Sequence, residues 1–253
     1  MKDVFLTIVI PAYNEEQHIL SSVQEVLRAV STAKLKCEII IVDDCSSDHT
    51  YEIASGLAEN DPRITVLQNK TNLGLGGSYK AGLSLAKGSH ITWVPADESH
   101  PAEGLISTYQ VIGQADIIIP NPVNSEVRGW QRLYLSKTYT FLVNLFSWLK
   151  IPYYNGLSVH RTDLLGGIAI TTNGFGFQAE IIVKLMCGGA SSIVSEATIY
   201  ERQLGESKAF TVKNILSVAA ILGYILLFSV SHRFFKNDSF KSPPPILDAM
   251  KKE

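Results

Sequence analysis

The residues best suited to chemistry in this chain fall in short polar runs. Three of them are Tyr13-Asn14-Glu15, Asp43-Asp44 with Ser46, and Asp97-Glu98-Ser99-His100. Carboxylates placed this way can accept hydrogen bonds from a nucleobase or ribose. They can also offer hard oxygen ligands to a divalent cation riding on a diphosphate. A further run, residues 201–208, brings Arg202 and Lys208 together around Glu206. A guanidinium and an ammonium on a closing loop suit anionic phosphate oxygens. The glycines of Asn72-Leu73-Gly74-Leu75-Gly76-Gly77 could let a backbone approach a phosphate. Each run also has a plainer reading. Asp43, Asp44, Ser46, Ser47 and Asp48 could cap a helix, and Asp97 or Ser99 could cap one that begins at Pro101. The glycines could form a tight turn, and 201–208 an exposed polar loop.

Other chemistries have no footing. His18, His49, His90, His100, His160 and His232 make no metal-binding spacing. There is no Gly-x-Ser-x-Gly elbow and no P-loop. The glycine run lacks dinucleotide spacing and follows the third expected strand, not the first.

The elements that must carry these runs alternate. Strands are expected at 6–10, 39–42, 64–68, 91–94 and 116–119. Helices are expected at 15–31, 49–60, 78–87 and 101–113. Continuous apolar strands separated by helices predict an α/β fold, a mainly parallel sheet covered on both faces. Ligands in such sheets sit beyond the carboxyl ends of the strands, where three of the polar runs fall. A chain of 253 residues that is 46% hydrophobic and 18% charged can bury a full core and is not disordered. A net charge of −2 gives no basis for nucleic-acid binding. Three scattered cysteines fit a reducing compartment, and the N-terminus lacks the apolar stretch of a signal peptide.

The second half differs. Residues 130–149 read as one helix rich in Trp, Tyr and Phe, with a polar stripe of Lys137, Thr140, Asn144 and Ser147 and basic flanks at Arg128, Arg132 and Lys150. It suits a membrane interface, a core helix on the sheet, or a subunit contact in a homo-oligomer. Residues 215–231 carry no charge, slightly short of the ~20 residues of a full span. A tilted span, an interfacial helix and a buried helix all remain open, with membrane contact favoured. Residues 236–253 read as an extended tail.

In combination these runs resemble the family 2 glycosyltransferases of GT-A fold, in the dolichyl-phosphate mannosyltransferase-like branch. Ile8-Val9-Ile10-Pro11-Ala12-Tyr13-Asn14-Glu15 is similar to the family's first-strand motif. Residues 39–50 are similar to its second, with Cys45 where glycine is usual. Residues 72–88, Gly176-Phe177-Gln178-Ala179-Glu180 and 202–208 match later landmarks, and the likeness runs from about residue 5 to about 210. The resemblance implies a Rossmann-like GT-A domain over 1–210, a membrane-associated or transmembrane helix over 211–235 and a tail. It implies that Pro11, Ala12, Tyr13, Glu15 and Asp44 line a nucleoside pocket. Asp43 and Lys80 join them in binding the nucleotide sugar, and Gln178 and Glu180 lie near the sugar. It places Asp97 at the metal and diphosphate, Arg202 and Lys208 on the closing loop, and Arg132 at the acceptor phosphate. The family's Asp-Ala-Asp reads Pro95-Ala96-Asp97 here, and its Gly-Ser-Arg reads Pro120-Asn121-Pro122. Arg128 lies close enough in sequence to stand in for that arginine.

The expected activity is inverting transfer of a sugar from a nucleotide sugar to a polyprenyl phosphate at the cytoplasmic membrane face, with Mg²⁺ or Mn²⁺. Asp97 is its metal ligand, and Arg132, Arg202 and Lys208 complete the catalytic set. The alternatives are a sugar-nucleotide-binding protein that has lost catalysis, or transfer to a hydroxyl with Asp97 or Glu180 as base.

Overall fold

The computed structural model describes residues 5–124, 129–199 and 212–235. In chain order the elements are β1 (Phe5–Ala12), α1 (Ile19–Ala33), β2 (Lys36–Asp43), α2 (Thr50–Asn60), β3 (Ile64–Gln68), α3 (Leu75–Leu83), β4 (His90–Trp93) and α4 (Ala102–Gln110). They continue with β5 (Ile117–Pro122), α5 (Trp130–Ser147), β6 (Val159–Arg161), α6 (Thr162–Leu165), α7 (Phe177–Cys187), β7 (Ser192–Ala197) and α8 (Val212–Phe235).

All seven strands form one sheet in the order β3-β2-β1-β4-β6-β5-β7. Only β6 runs against the others, pairing antiparallel with β4 and β5. The mainly parallel α/β sheet is therefore as expected. β1 and β2 are buried almost end to end because helices cover both faces. Pro11 lies inside β1, past the expected stop. The Val9 carbonyl faces β4 and accepts the Val94 amide at 2.9 Å. Pro11 faces the same way, but β4 pairs only with Leu6–Val9, so its missing N–H interrupts no ladder.

α1 hides Ile19, Val23, Val26 and Val30 at helical spacing and packs on α4. It starts four residues later than expected, because His18 and Ile19 first close a turn on the Glu15 carbonyl. The core runs from these helices through the sheet to α7, whose Phe177 lies 4.9 Å from the Tyr79 ring and 5.5 Å from Trp93.

The last two large helices correct the expectations. α5 turns the C-terminal part of its polar stripe, Asn144 and Ser147, inward, while Lys137 stays exposed. Asn144 Nδ2 donates to the Ile151 carbonyl at 2.9 Å, while its Oδ1 accepts from the Ile151 amide and the Tyr154 hydroxyl. Ser147 is buried and bonds the Val143 carbonyl. Trp130, Tyr134, Phe141, Leu145 and, just past the helix end, Trp148 face outward. α8 docks on α5 and α7 with Ile221 and Ile225 buried. Among the described residues no helix is long and apolar enough to cross a membrane, so the spanning reading of 215–231 has no support. The tail falls outside the described residues.

Candidate active site

The sheet register sets the polar strand ends side by side. Ala12 pairs with Asp43, and Asp43 with Gln68. Val9 pairs with Trp93, four residues before Asp97. The loops after β1 and β2 are stitched together. Asn14, held at φ 56°, donates its amide to Ser46 Oγ and accepts from the Ser47 amide at 2.8 Å. The Glu15 amide donates to Thr50 Oγ1 at 2.8 Å. Asp48 takes the Thr50 amide and hydroxyl. Burial opposes its charge, and these bonds outweigh it, holding the carboxyl below the usual range. Cys45 sits at φ 64°, the left-handed region in which glycine is unstrained, which accounts for the resemblance favouring glycine there. Pro11 and Ala12 are buried at the end of β1 and Tyr13 is exposed beside them.

The two neighbouring aspartates have different work. Asp43 is fully buried. Its Oδ2 accepts from the Ser46 amide at 3.3 Å and Gln68 Nε2 at 3.1 Å, while Oδ1 has no partner. A buried acceptor without a donor is costly, and a ligand N–H would relieve it. Asp44 was expected in the nucleoside pocket, but the protein itself engages both of its oxygens. Oδ1 accepts from Asn69 Nδ2 and the Leu73 amide, and Oδ2 from the Gly74 amide, all at 2.8 Å.

That arrangement also corrects the glycine run. Its Gly76 amide donates to the Asn173 carbonyl at 2.7 Å, and Gly77 shares it at 3.4 Å. With Leu73 and Gly74 held by Asp44, these four amides are not available to a phosphate. Gly76 is required because a Cβ there would lie 2.6 Å from the Thr172 carbonyl. The turn is a junction between the end of β2 and the segment 169–173. Lys80, expected at the nucleotide, ties α3 to the same segment through the Ile170 carbonyl at 3.3 Å and Asn173 Oδ1 at 2.5 Å.

Glu180, expected near the sugar, is committed elsewhere as well. It is fully buried; Oε1 accepts from the Thr171 amide and hydroxyl and from Lys184 Nζ, and Oε2 from the Thr172 amide. Burial would raise its pKa, but Lys184 and the threonine donors hold it below the usual range. It cannot serve as the base for a hydroxyl acceptor. Gln178, two residues earlier in α7 and only 1% exposed, has neither Oε1 nor Nε2 partnered. Phe177, wedged between Tyr79 and Trp93, packs the start of α7 against the end of β4.

Asp97 does not cap α4. The cap is Pro101, and Glu25 of α1 accepts the Ala102 amide at 2.7 Å. Asp97 Oδ1 instead accepts the Ser99 amide and hydroxyl, and Ser99 Oγ lies 2.9 Å from His100 Nδ1. Glu98, at φ 58°, turns away toward His18 at 3.4 Å. Among the described residues no three His, Cys, Asp or Glu side chains gather as a metal cage. A magnesium or manganese ion bound through a diphosphate needs only one or two carboxylates. The part-exposed Asp97 at a strand end fits that donor set. Arg132 lies exposed on the first turn of α5. Arg202, Lys208 and Arg128 fall outside the described residues.

Sequence reasoning missed Gln68, Asn69, Asn173 and Lys184. The first two follow the same strand-end rule as the other runs. Lys184 stands four residues after Glu180, the spacing of a helical ion pair. Asn173 gave no signal, since its role depends on a contact some hundred residues distant in sequence.

Comparison with known proteins follows this geometry. The family model described as Glycosyl transferase family 2 matches residues 7–170. An undecaprenyl-phosphate mannosyltransferase of Micrococcus luteus is 30% identical over 211 residues, 79% of this chain and 85% of the relative. A polyprenol monophosphomannose synthase of Mycolicibacterium smegmatis is 31% identical over 214 residues, 79% of each chain. The crystal structure of mannosyl-3-phosphoglycerate synthase from Rubrobacter xylanophilus superposes with a TM-score of 0.63 at 17% identity, covering 95% of this chain and 77% of that one, which supports the GT-A-like fold. The chain belongs to glycosyl transferase family 2 and is a glycosyltransferase.

Proposed function

We propose that the enzyme moves a hexose from a nucleoside diphosphate sugar to a polyprenyl phosphate, inverting the anomeric centre, at the cytoplasmic face of a membrane. The observation that carries this reading is the outward aromatic stripe of α5. Trp130 is 77% exposed and Phe141 64%, on a helix whose Asn144 and Ser147 face the protein while Arg132 and Lys137 stand among the exposed aromatic residues. Water would not favour that orientation, whereas a lipid interface holding the acceptor would. The names of the two relatives supply the acceptor class. Three cysteines without a disulfide suit a reducing compartment and hence the cytoplasmic side.

In the mechanism, Asp43 Oδ1 accepts an N–H of the donor base. Gln178, buried and unpartnered, bonds the donor sugar. Asp97 is the protein ligand that would hold Mg²⁺ or Mn²⁺, and the cation would offset charge on the diphosphate as it leaves. Arg202 and Lys208 neutralise the same charge. A phosphate monoester oxygen of the acceptor attacks the anomeric carbon from the face opposite the diphosphate. The electron pair of the breaking C–O bond leaves with the nucleoside diphosphate. The nucleophile is already an anion, so no base is needed, and Arg132 holds it in place. Residues 1–210 form the transferase unit and α8 the membrane-associated one.

The test incubates the full chain in detergent micelles with radiolabelled GDP-mannose or UDP-glucose, undecaprenyl phosphate and Mg²⁺. Label passing into the organic phase with one donor supports the proposal. Both donors bound, with label reaching no lipid, would contradict it.

A further inference from the structure

A chain of contacts joins α8 to the end of β2. Tyr224 and Phe228 of α8 present their rings to Lys184 Nζ, at 4.9 and 5.7 Å from the ring centres. α8 also lies close against the start of α7, since a Cβ on Gly176 would lie 2.9 Å from Ile221. Lys184 bonds Glu180 at 2.6 Å and also donates to the Ala169 carbonyl. Glu180 in turn takes the amides of Thr171 and Thr172. The segment 169–173 is thus held by the ion pair at 169, 171 and 172 and by Lys80 at 170 and 173, and its Asn173 carbonyl seats the Gly76 amide. The turn that contains Gly76 holds Asp44 through Leu73 and Gly74, and Asp44 adjoins the buried Asp43.

We propose that Lys184 is a positioning residue for the donor nucleotide: with Glu180 it fixes the strap 169–173, through which the docking of α8 sets the turn at 73–77 and the aspartates behind it. The proposal rests on the donor role given above to Asp43. Its physical basis is that a paired charge inside the protein can hold several backbone groups in one arrangement. Rings laid over Lys184 give it a partner on the side that Glu180 does not cover. Docking of α8 thus adds to what holds Lys184, and through Lys184 to what holds the strap. The membrane-facing helix and the nucleotide end of the sheet are then read out together.

The experiment uses the full chain in detergent micelles and compares wild type, Lys184→Met, Lys184→Arg and the double variant Tyr224→Leu/Phe228→Leu. Two readouts are taken: amide hydrogen exchange by residue, and KM for the donor against kcat. Lys184→Met is expected to speed exchange at Thr171, Thr172, Gly76, Leu73 and Gly74. The β1 amides should remain protected. Donor KM should rise about tenfold, with kcat at saturating donor within about twofold. Lys184→Arg should restore both, and the double variant should raise KM about threefold. Lys184→Met leaves Glu180 buried and unpaired. If that protein does not fold, the double variant, which keeps the ion pair, decides the matter. Faster exchange confined to 171–172, with 73–76 and donor KM unchanged, overturns the proposal and leaves a local structural pair. A wild-type chain that binds no donor defeats the proposed function instead, and the exchange pattern at 73–76 still judges the coupling.

Discussion

α1 and α5 are both long amphipathic helices, and they are turned in opposite senses. α1 presses Val23, Val26 and Val30 into the core and leaves Glu25 and Arg28 toward solvent, where they pair with each other at 2.6 Å. α5 turns Asn144 and Ser147 inward, satisfies them on the backbone, and leaves Trp130, Tyr134, Phe141 and Leu145 outside. Removing apolar area from water stabilises α1 in place. The same term acts against α5 as it stands in water. A row of exposed aromatic residues on a rigid helix marks a surface meant for something other than water. α8 docks on α5 and adds Leu227 and Phe234 to the exposed apolar surface.

The largest expected effect tests the α1 side. Val26→Asp places a carboxylate where the side chain is 0% exposed. It should lower unfolding free energy by at least about 4 kcal/mol, seen as loss of the cooperative thermal transition in circular dichroism. Retained folding would mean that α1 is not held by its buried face.

Acid sensitivity extends the contrast to β6. His160 is fully buried with neither ring nitrogen partnered, and burial lowers its pKa to about 3. In the unfolded chain it titrates near 6.5, so between those values only the unfolded state binds the proton. Its contribution is therefore intact above about pH 6.5 and is lost as pH falls toward 3, on the order of 5 kcal/mol at most. His160→Leu should flatten the acid limb of the stability-against-pH curve measured by urea unfolding. An unchanged slope would exclude His160 as its source.

The inward face of α5 comes next. Asn144→Leu removes three hydrogen bonds, to both polar groups of Ile151 and to the Tyr154 hydroxyl. The predicted loss is about 2–3 kcal/mol by chemical denaturation, although the substitution makes the helix more apolar. A gain in stability would show that the orientation of α5 has been misjudged.

The smallest effect belongs to neither helix. Cys45→Gly relieves a left-handed backbone position but frees the unfolded chain, so stability should change by less than about 1 kcal/mol. A larger loss would point to a role for the thiol.

The contrast between the helices also shows what could be read in advance. The strands β1, β2, β4 and β5 announce themselves because a strand buried on both faces must be largely apolar, and the edge strand β3 keeps enough Ile, Val and Leu to be seen with them. β6 is three residues long and carries His160 and Arg161, so no pattern marks it. β7 exposes Ser192, Val194 and Glu196 and covers Ile193, Ser195 and Ala197 at the edge of the sheet, so neither face reads as cleanly apolar or polar. In the site, the strand-end rule found Asp43 and Asp97. It could not separate Asp43 from Asp44, because the difference lies in amides arriving from residues 73 and 74. The polar stripe of α5 was visible as a period, but its direction was not. Periodicity gives two faces, and only the hydrogen bonds to Ile151 say which one is inside.

The central claim is that the outward face of α5 meets lipid. The direct measurement is partition of the full chain onto sucrose-loaded vesicles containing anionic lipid, comparing wild type with Trp130→Ser/Tyr134→Ser/Phe141→Ser. The account predicts a drop in partition of about tenfold or more while thermal stability changes by less than about 1 kcal/mol. Unchanged partition, with a shift in oligomeric state by light scattering, would contradict it and make that face a contact between copies of the chain.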